Sequence, residues 1–198
     1  MGNSAVQLQT QLRPDERLLW SGVPDPRVWL TPADGFLIPF SILWTAFAFF
    51  WELNAVNSGG PAFMVLWGIP FVAMGVYFVA GRFVYKRYRK QRTAYGITTQ
   101  RAIIAGPRAV ADMPLYQRAV TVRRSRDSRH ANVLFDAAAA PAGMGGFSRT
   151  TSSFYSNTGM ELFARSAPLA FAFYDVADPE AMLQALDQAR TQPANPGW

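Results

Sequence analysis

Two long stretches without a charged residue constrain this chain more than anything else in it. The first runs from Gly35 to Trp51, GFLIPFSILWTAFAFFW, and stops at Glu52; the second runs from Pro61 to Gly81, PAFMVLWGIPFVAMGVYFVAG. At about 1.5 Å of rise per helical residue they extend about 26 Å and about 32 Å, against roughly 30 Å for the hydrocarbon core of a bilayer. A helix in a soluble core keeps a polar stripe, and neither run has one. The sequence therefore predicts two membrane spans, at about 35–53 and 61–84, rather than a pair of core helices. The first completes its crossing with its flanks or by slight bilayer thinning. Neither run has the basic lead and small-residue cleavage site of a signal peptide.

The connection Asn54–Gly60 is short, uncharged and turn-forming, which predicts a tight antiparallel hairpin. Pro61 suits the first turn of the second helix. Pro39 lies near the start of the first span, where it is tolerated, and Pro70 lies mid-span, which predicts a kink there.

Charge is scarce and unevenly placed. Only 16% of residues are charged, yet the net charge is +6. Residues 1–35 carry net −1, 82–92 carry six bases and no acid, 93–130 carry +5 and 131–198 carry −3. Positive flanks stay cytoplasmic, so both termini are expected on the cytoplasmic side of the membrane, with the short loop outside. Residues 1–34 then form a cytoplasmic, partly interfacial segment. Trp20, Trp29, Trp51, Tyr85 and Tyr88 stand where an aromatic belt would. Glu52 falls at the outer rim, where a carboxylate reaches water. The cluster Lys86, Arg87, Arg89, Lys90 and Arg92 either enforces this topology or contacts anionic lipid, at about 1 kcal/mol per base. No motif sets these bases in a nucleic-acid groove, and no nucleic-acid partner is expected.

From Thr93 the pattern changes to short strands: Thr93–Thr98, Arg101–Ala105, Ala109–Leu115, Ala119–Arg124, Asn132–Asp136, Met160–Ala164 and Leu169–Tyr174. Seven strands of this size suggest a barrel or sandwich. Asp178 caps a final helix with Pro179 at its first position, and Met182, Leu183, Leu186 and Ala189 form its apolar stripe. Residues 137–158, rich in Ala, Gly, Ser and Thr, read as a mobile loop, or Ala137–Ala140 extend the fifth strand. Residues 192–198 read as a tail.

Chemistry is hard to find. The chain has no Cys and a single His, His130. That excludes disulfides and thiolate metal sites, and most zinc or Ser-His-Asp catalysis. Gly143–Gly146 lacks the Lys-Ser/Thr and helix of a phosphate loop. His130 reads as a surface turn residue. No catalytic residue, metal site or cofactor is expected. The remaining constellation is Arg118, Arg123, Arg124, Arg126 and Arg129, on the fourth strand and its turn. It reads as a charged guard on an exposed edge or a contact for anionic headgroups or an acidic partner.

Three features together carry a resemblance: the hairpin, the segment YGITTQRAII that follows it, and the closing FYDVADPEAMLQALDQA. In order along the chain they resemble the membrane-anchored bacterial pleckstrin-homology-like proteins, whose pattern of Tyr, apolar, Thr and Arg is met by Tyr95, Ile97, Thr98 and Arg101. Leu18–Trp44 is also similar to members of that family. The resemblance covers about residues 16–190. It implies an α+β membrane protein: a two-helix transmembrane hairpin (35–85), then a cytoplasmic seven-strand, half-open barrel capped by a C-terminal helix (93–191). It brings no catalytic residues. Eukaryotic namesakes bind phosphoinositides through a basic loop between the first strands. Here that loop is Thr99-Gln100-Arg101, too short for the role. The resulting expectation is a non-enzymatic scaffold, an accessory or assembly subunit that binds another membrane protein or itself. The alternative is a sensor of anionic lipid.

Overall fold

The computed structural model describes residues 6, 8–107, 109–116, 119–125, 129–135, 157–160 and 171–191. Among these the chain forms β1 (Leu18–Gly22), α1 (Asp34–Asn57), α2 (Ala62–Val76), a π-helical stretch (Tyr77–Gly81), α3 (Arg82–Gln91), β2 (Ala94–Thr98), β3 (Arg101–Ala105), β4 (Val110–Pro114), β5 (Val120–Arg124), β6 (Ala131–Phe135), β7 (Ala172–Val176) and α4 (Pro179–Thr191). It divides into two compact units, one of residues 1–28, 87–153 and 166–198, the other of 29–86 and 154–165.

Among the described residues the strands of the sheet unit pair antiparallel, in the orders β1-β2-β3-β4 and β5-β6-β7. Patterning assigns no strand to residues 1–34, but the structure puts Leu18–Gly22 beside β2, pairing Trp20 with Ile97 and Gly22 with Tyr95. The first two strands are therefore joined by residues 23–93, which contain both long helices, and Thr99–Gln100 is the second turn. Trp20 belongs to no aromatic belt: its ring lies 6.2 Å from Phe173 and packs on the main core. That core joins Tyr95, Ile97, Val133, Phe135 and Phe173 to the expected stripe of α4, Met182, Leu186 and Ala189. Asp178 Oδ1 accepts the Ala181 N–H, as an N-cap should. The other face of β2 is covered by Leu8, 0% exposed, and Leu18, which close over Gly96. Burial on both faces explains why β2 is buried at every position where alternation would leave half exposed. The last strand sits later than expected, at Ala172–Val176, because its pairing with β6 runs from Leu134↔Ala172 to Ala131↔Val176. The expected strand Met160–Ala164 beyond Met160, most of loop 137–158, and tail 192–198 lie outside the described residues.

In the hairpin unit, α1 ends in a glycine turn. Gly59, at φ +64°, gives its N–H to Val56, and the Gly60 N–H reaches the Ala55 carbonyl. Both bonds satisfy last-turn carbonyls, and the positive φ suits glycine. The helices meet through small residues: a Cβ on Gly75 would stand 2.9 Å from Thr45 Oγ1 and 3.2 Å from its Cα. The hydroxyls of Ser41 and Thr45 donate to the Leu37 and Ser41 carbonyls within α1, so neither is left unsatisfied. Elsewhere large apolar side chains face outward, with Phe36, Leu43, Phe50, Phe63 and Leu66 all 65–72% exposed. Both helices are long and apolar enough to cross a membrane, and only 17% of each apolar window is buried. A core helix of a soluble protein would have most of that window covered.

Pro70 lies within the α-helical span, and a π-helical stretch follows at Tyr77–Gly81. There Gly81 leaves room for the Tyr77 ring, which a Cβ would approach to 2.7 Å. Glu52 turns Oε2 onto Gly68, buried and without a hydrogen-bond partner among the described residues. Near the π-helical stretch, the Tyr77 hydroxyl donates to the Gly159 carbonyl at 2.6 Å. Gly159, at φ +84°, lies where any Cβ would collide with the Arg82 backbone. Residues 157–158, at the end of the loop expected to be mobile, thus belong to a docked turn, with Thr158 2% exposed.

Candidate interaction site around the basic helix

The basic cluster after the second apolar run is helical, and its residues divide by face. Arg82, Lys86 and Lys90 recur every fourth position, which places them on one side of α3. All three are buried, at 1%, 5% and 5% exposure. A buried cation needs a partner, and each has one. In the hairpin unit, Arg82 Nη1 pairs with the Asp34 carboxylate, its Nε donates to the Phe78 carbonyl at 2.8 Å, and Lys86 Nζ donates to the Trp29 carbonyl at 2.8 Å. In the sheet unit, Lys90 Nζ donates to the Asp25 and Val28 carbonyls at 3.0 and 2.8 Å and pairs with Asp175 at 2.5 Å. Lys86 and Lys90, two of the candidates for contact with lipid or a partner, are turned inward. Arg87 and Arg92 are exposed and Arg89 is half-buried. The Arg92 guanidinium lies 4.2 Å over the Tyr88 ring.

Asp175 leads to a feature the sequence hides. It sits at φ 53°, held there by its N–H donating to Asn132 Oδ1 at 2.7 Å and its carbonyl accepting the Asp25 N–H at 2.9 Å. A non-glycine residue in that region is uncommon, though Asp tolerates it better than most. It lines a cleft of about 860 Å³ together with Asp25, Arg27, Arg129, His130 and Glu180. His130 is no isolated turn residue: its Nε2 lies 3.0 Å from Asp25 Oδ2. Burial works to raise the Asp25 carboxyl, but the Arg27 N–H and His130 outweigh it and hold it below the usual range.

The motif residues Tyr95, Ile97, Thr98 and Arg101 all turn inward or tie down the chain. Ile97 is 0% exposed. Tyr95 stacks on Phe173 with ring centroids 4.6 Å apart, and its hydroxyl accepts the Tyr174 N–H. Burial pushes that phenol well above its ordinary pKa. Thr98 Oγ1 accepts the N–H of Gln100 and Arg101, closing the β2–β3 turn, and donates to Glu16 Oε1 at 2.6 Å. Arg101 grips the same carboxylate with two bonds, Nε to Oε1 at 2.9 Å and Nη2 to Oε2 at 3.0 Å. It also reaches Asp112 and the Gln11 carbonyl. The three-residue step from Thr98 to Arg101 spans a tight turn, so both side chains meet one acid. Burial works to raise the Glu16 carboxyl, and the bonds from Arg101, Thr98 and the Arg13 N–H outweigh it, leaving it below the usual range. Glu16 in turn is the first cause that lifts the Arg101 guanidinium above its ordinary value.

Arg123 is exposed, Arg124 pairs with Glu180 at 2.7 Å, and Arg129 stands exposed on the cleft rim. Arg118 and Arg126 lie outside the described residues. Glu16, Asp25, Asp34 and Asp175, which organise these bases, carry no sequence motif. One cue existed: an antiparallel hairpin brings together the residues flanking its two runs, and those are Asp34 and Arg82.

No family model, no curated protein and no solved structure matches the chain.

Proposed function

We propose that this chain is a non-enzymatic integral protein of the bacterial inner membrane. Its hairpin crosses the bilayer with both ends cytoplasmic. Its sheet unit, a pleckstrin-homology-like half-open barrel, serves as a scaffold for another membrane protein or a second copy, as an accessory or assembly subunit does. The observation that carries this reading is the pair of helices that pack on each other through small residues while leaving large apolar side chains outward. Membrane helices associate in this way, because lipid solvates apolar surface and small residues let backbones approach. The barrel reading is supported by four- and three-strand meanders, by the bridge Pro24↔Val176 and by the closing helix. On this reading the hairpin occupies the connection between the first two strands, where a soluble relative would carry a ligand loop. A scaffold fits better than a lipid sensor, since Arg82, Lys86 and Lys90 are engaged internally.

The topology is tested by Ser58→Cys, in a chain with no cysteine of its own. A membrane-impermeant maleimide should label it in intact cells, and labelling only after lysis would overturn the orientation. The scaffold role is tested by native mass measurement after extraction in mild detergents. A complex of fixed stoichiometry above the mass of one chain is expected; one chain alone in every mild detergent sinks it.

A further inference from the structure

We propose that the outward face at the end of α3, formed by Arg87, Tyr88, Gln91 and Arg92, binds the phosphate headgroups of anionic lipid. The proposal rests on the hairpin lying in a bilayer, and narrows the basic cluster to the side chains that can reach that bilayer's surface. Successive helical residues turn by about 100°, so positions 88 and 91 lie opposite the side that buries Lys86 and Lys90, and Arg87 lies on its flank, exposed. Arg87, Gln91 and Arg92 are exposed, and Tyr88 is 45% exposed. No acid occurs anywhere in residues 82–92, so nothing in the segment neutralises this face.

The occupant follows from chain position and side-chain chemistry. Arg87 stands six residues past Gly81, the last residue of the apolar run, which is about 9 Å of helix rise. Side chains on a helix tilt toward its N-terminus, which here means back toward the apolar run, and a long arginine stem lets its guanidinium snorkel to the headgroup level. A guanidinium offers two parallel N–H groups to a phosphate. The Arg92 guanidinium lies over Tyr88, at 4.2 Å from its ring centroid, and an exposed tyrosine beside a cation suits the wet edge of a membrane. Arg89 is half-buried and is not part of the face.

The test uses the full chain in a mild non-ionic detergent, titrated with phosphatidylglycerol or phosphatidylcholine, with bound lipid counted by native mass spectrometry. The wild type should prefer phosphatidylglycerol, and Arg87→Gln with Arg92→Gln should lower its apparent affinity by about fivefold per arginine without changing the phosphatidylcholine affinity. Lys86→Gln should leave the preference intact and lower thermal stability. Equal loss of preference in Lys86→Gln, or an undiminished preference in the double variant, overturns the assignment. Carbonate washing of membranes separates the two claims. A chain released by carbonate defeats the bilayer reading as well. A chain that stays in the membrane yet shows no lipid preference defeats only the headgroup contact.

Discussion

Asp34→Ala should destabilise the full chain by roughly 3–5 kcal/mol, the usual effect of removing one partner from a buried ion pair. Asp34 is 2% exposed and Arg82 is 1% exposed, so the guanidinium left behind has no access to water. It is already short of partners: Arg82 Nη2 is buried without a hydrogen bond among the described residues. The carboxylate also accepts the Thr31 N–H and hydroxyl at 2.6 and 2.8 Å, ordering the turn that starts α1. Equilibrium unfolding in mild detergent measures the loss. Asp34→Leu combined with Arg82→Met should recover most of it, because well-packed apolar side chains often replace a buried pair without penalty. About 1 kcal/mol should stay lost with the Thr31 hydrogen bonds. A single variant within about 1 kcal/mol of wild type would mean that the pair is solvated.

Arg101→Ala should be comparably damaging, by roughly 3–5 kcal/mol, since the Glu16 side chain is 0% exposed and would keep a charge without its cation. The Arg101 bond to Asp112 adds little, because Asp112 is 40% exposed and water screens it. The same network sets an acid limb. The Glu16 carboxyl lies lower in the folded chain than its ordinary value of 4.5. A depressed acid contributes stability that is fully present above the unfolded value and is lost as pH falls through the folded one. Wild-type stability should therefore decline from about pH 4.5 downward. Glu16→Gln should be less stable at pH 7 and show a flatter acid limb, with a residual slope from Asp25, whose shift has the same sign. An unchanged acid limb in Glu16→Gln would show that the carboxylate does not carry it.

The strands and helices were readable to different degrees, for reasons visible in particular residues. The two apolar runs, the glycine turn at Ser58–Gly60, the strand pairs from Ala94 to Pro114 and the cap at Asp178 all follow from local patterns of apolarity, turn residues and capping. Leu18–Gly22 was not readable, because a five-residue strand followed by a prolines-and-turns segment looks like a linker until β2 is there to pair with it. The candidate site was legible only as a list of bases. Lys86 and Arg87 are adjacent in sequence and alike in charge, yet one is buried against the Trp29 carbonyl and the other is exposed.

By itself the sequence determined what depends on neighbours along the chain: two uncharged runs of spanning length, a positive segment just after them, a β-rich remainder and a final amphipathic helix. Tertiary structure alone decided what depends on partners far away in sequence. It chose which bases face inward, since that requires Asp34 for Arg82 and Asp175 for Lys90. It made Thr98 and Arg101 a clamp by delivering Glu16 to them, 82 and 85 residues away. It also set His130 against Asp25. A charge in a sequence states only what a side chain could pair with; the fold supplies the partner and the burial that decide whether it holds the protein together or meets the outside.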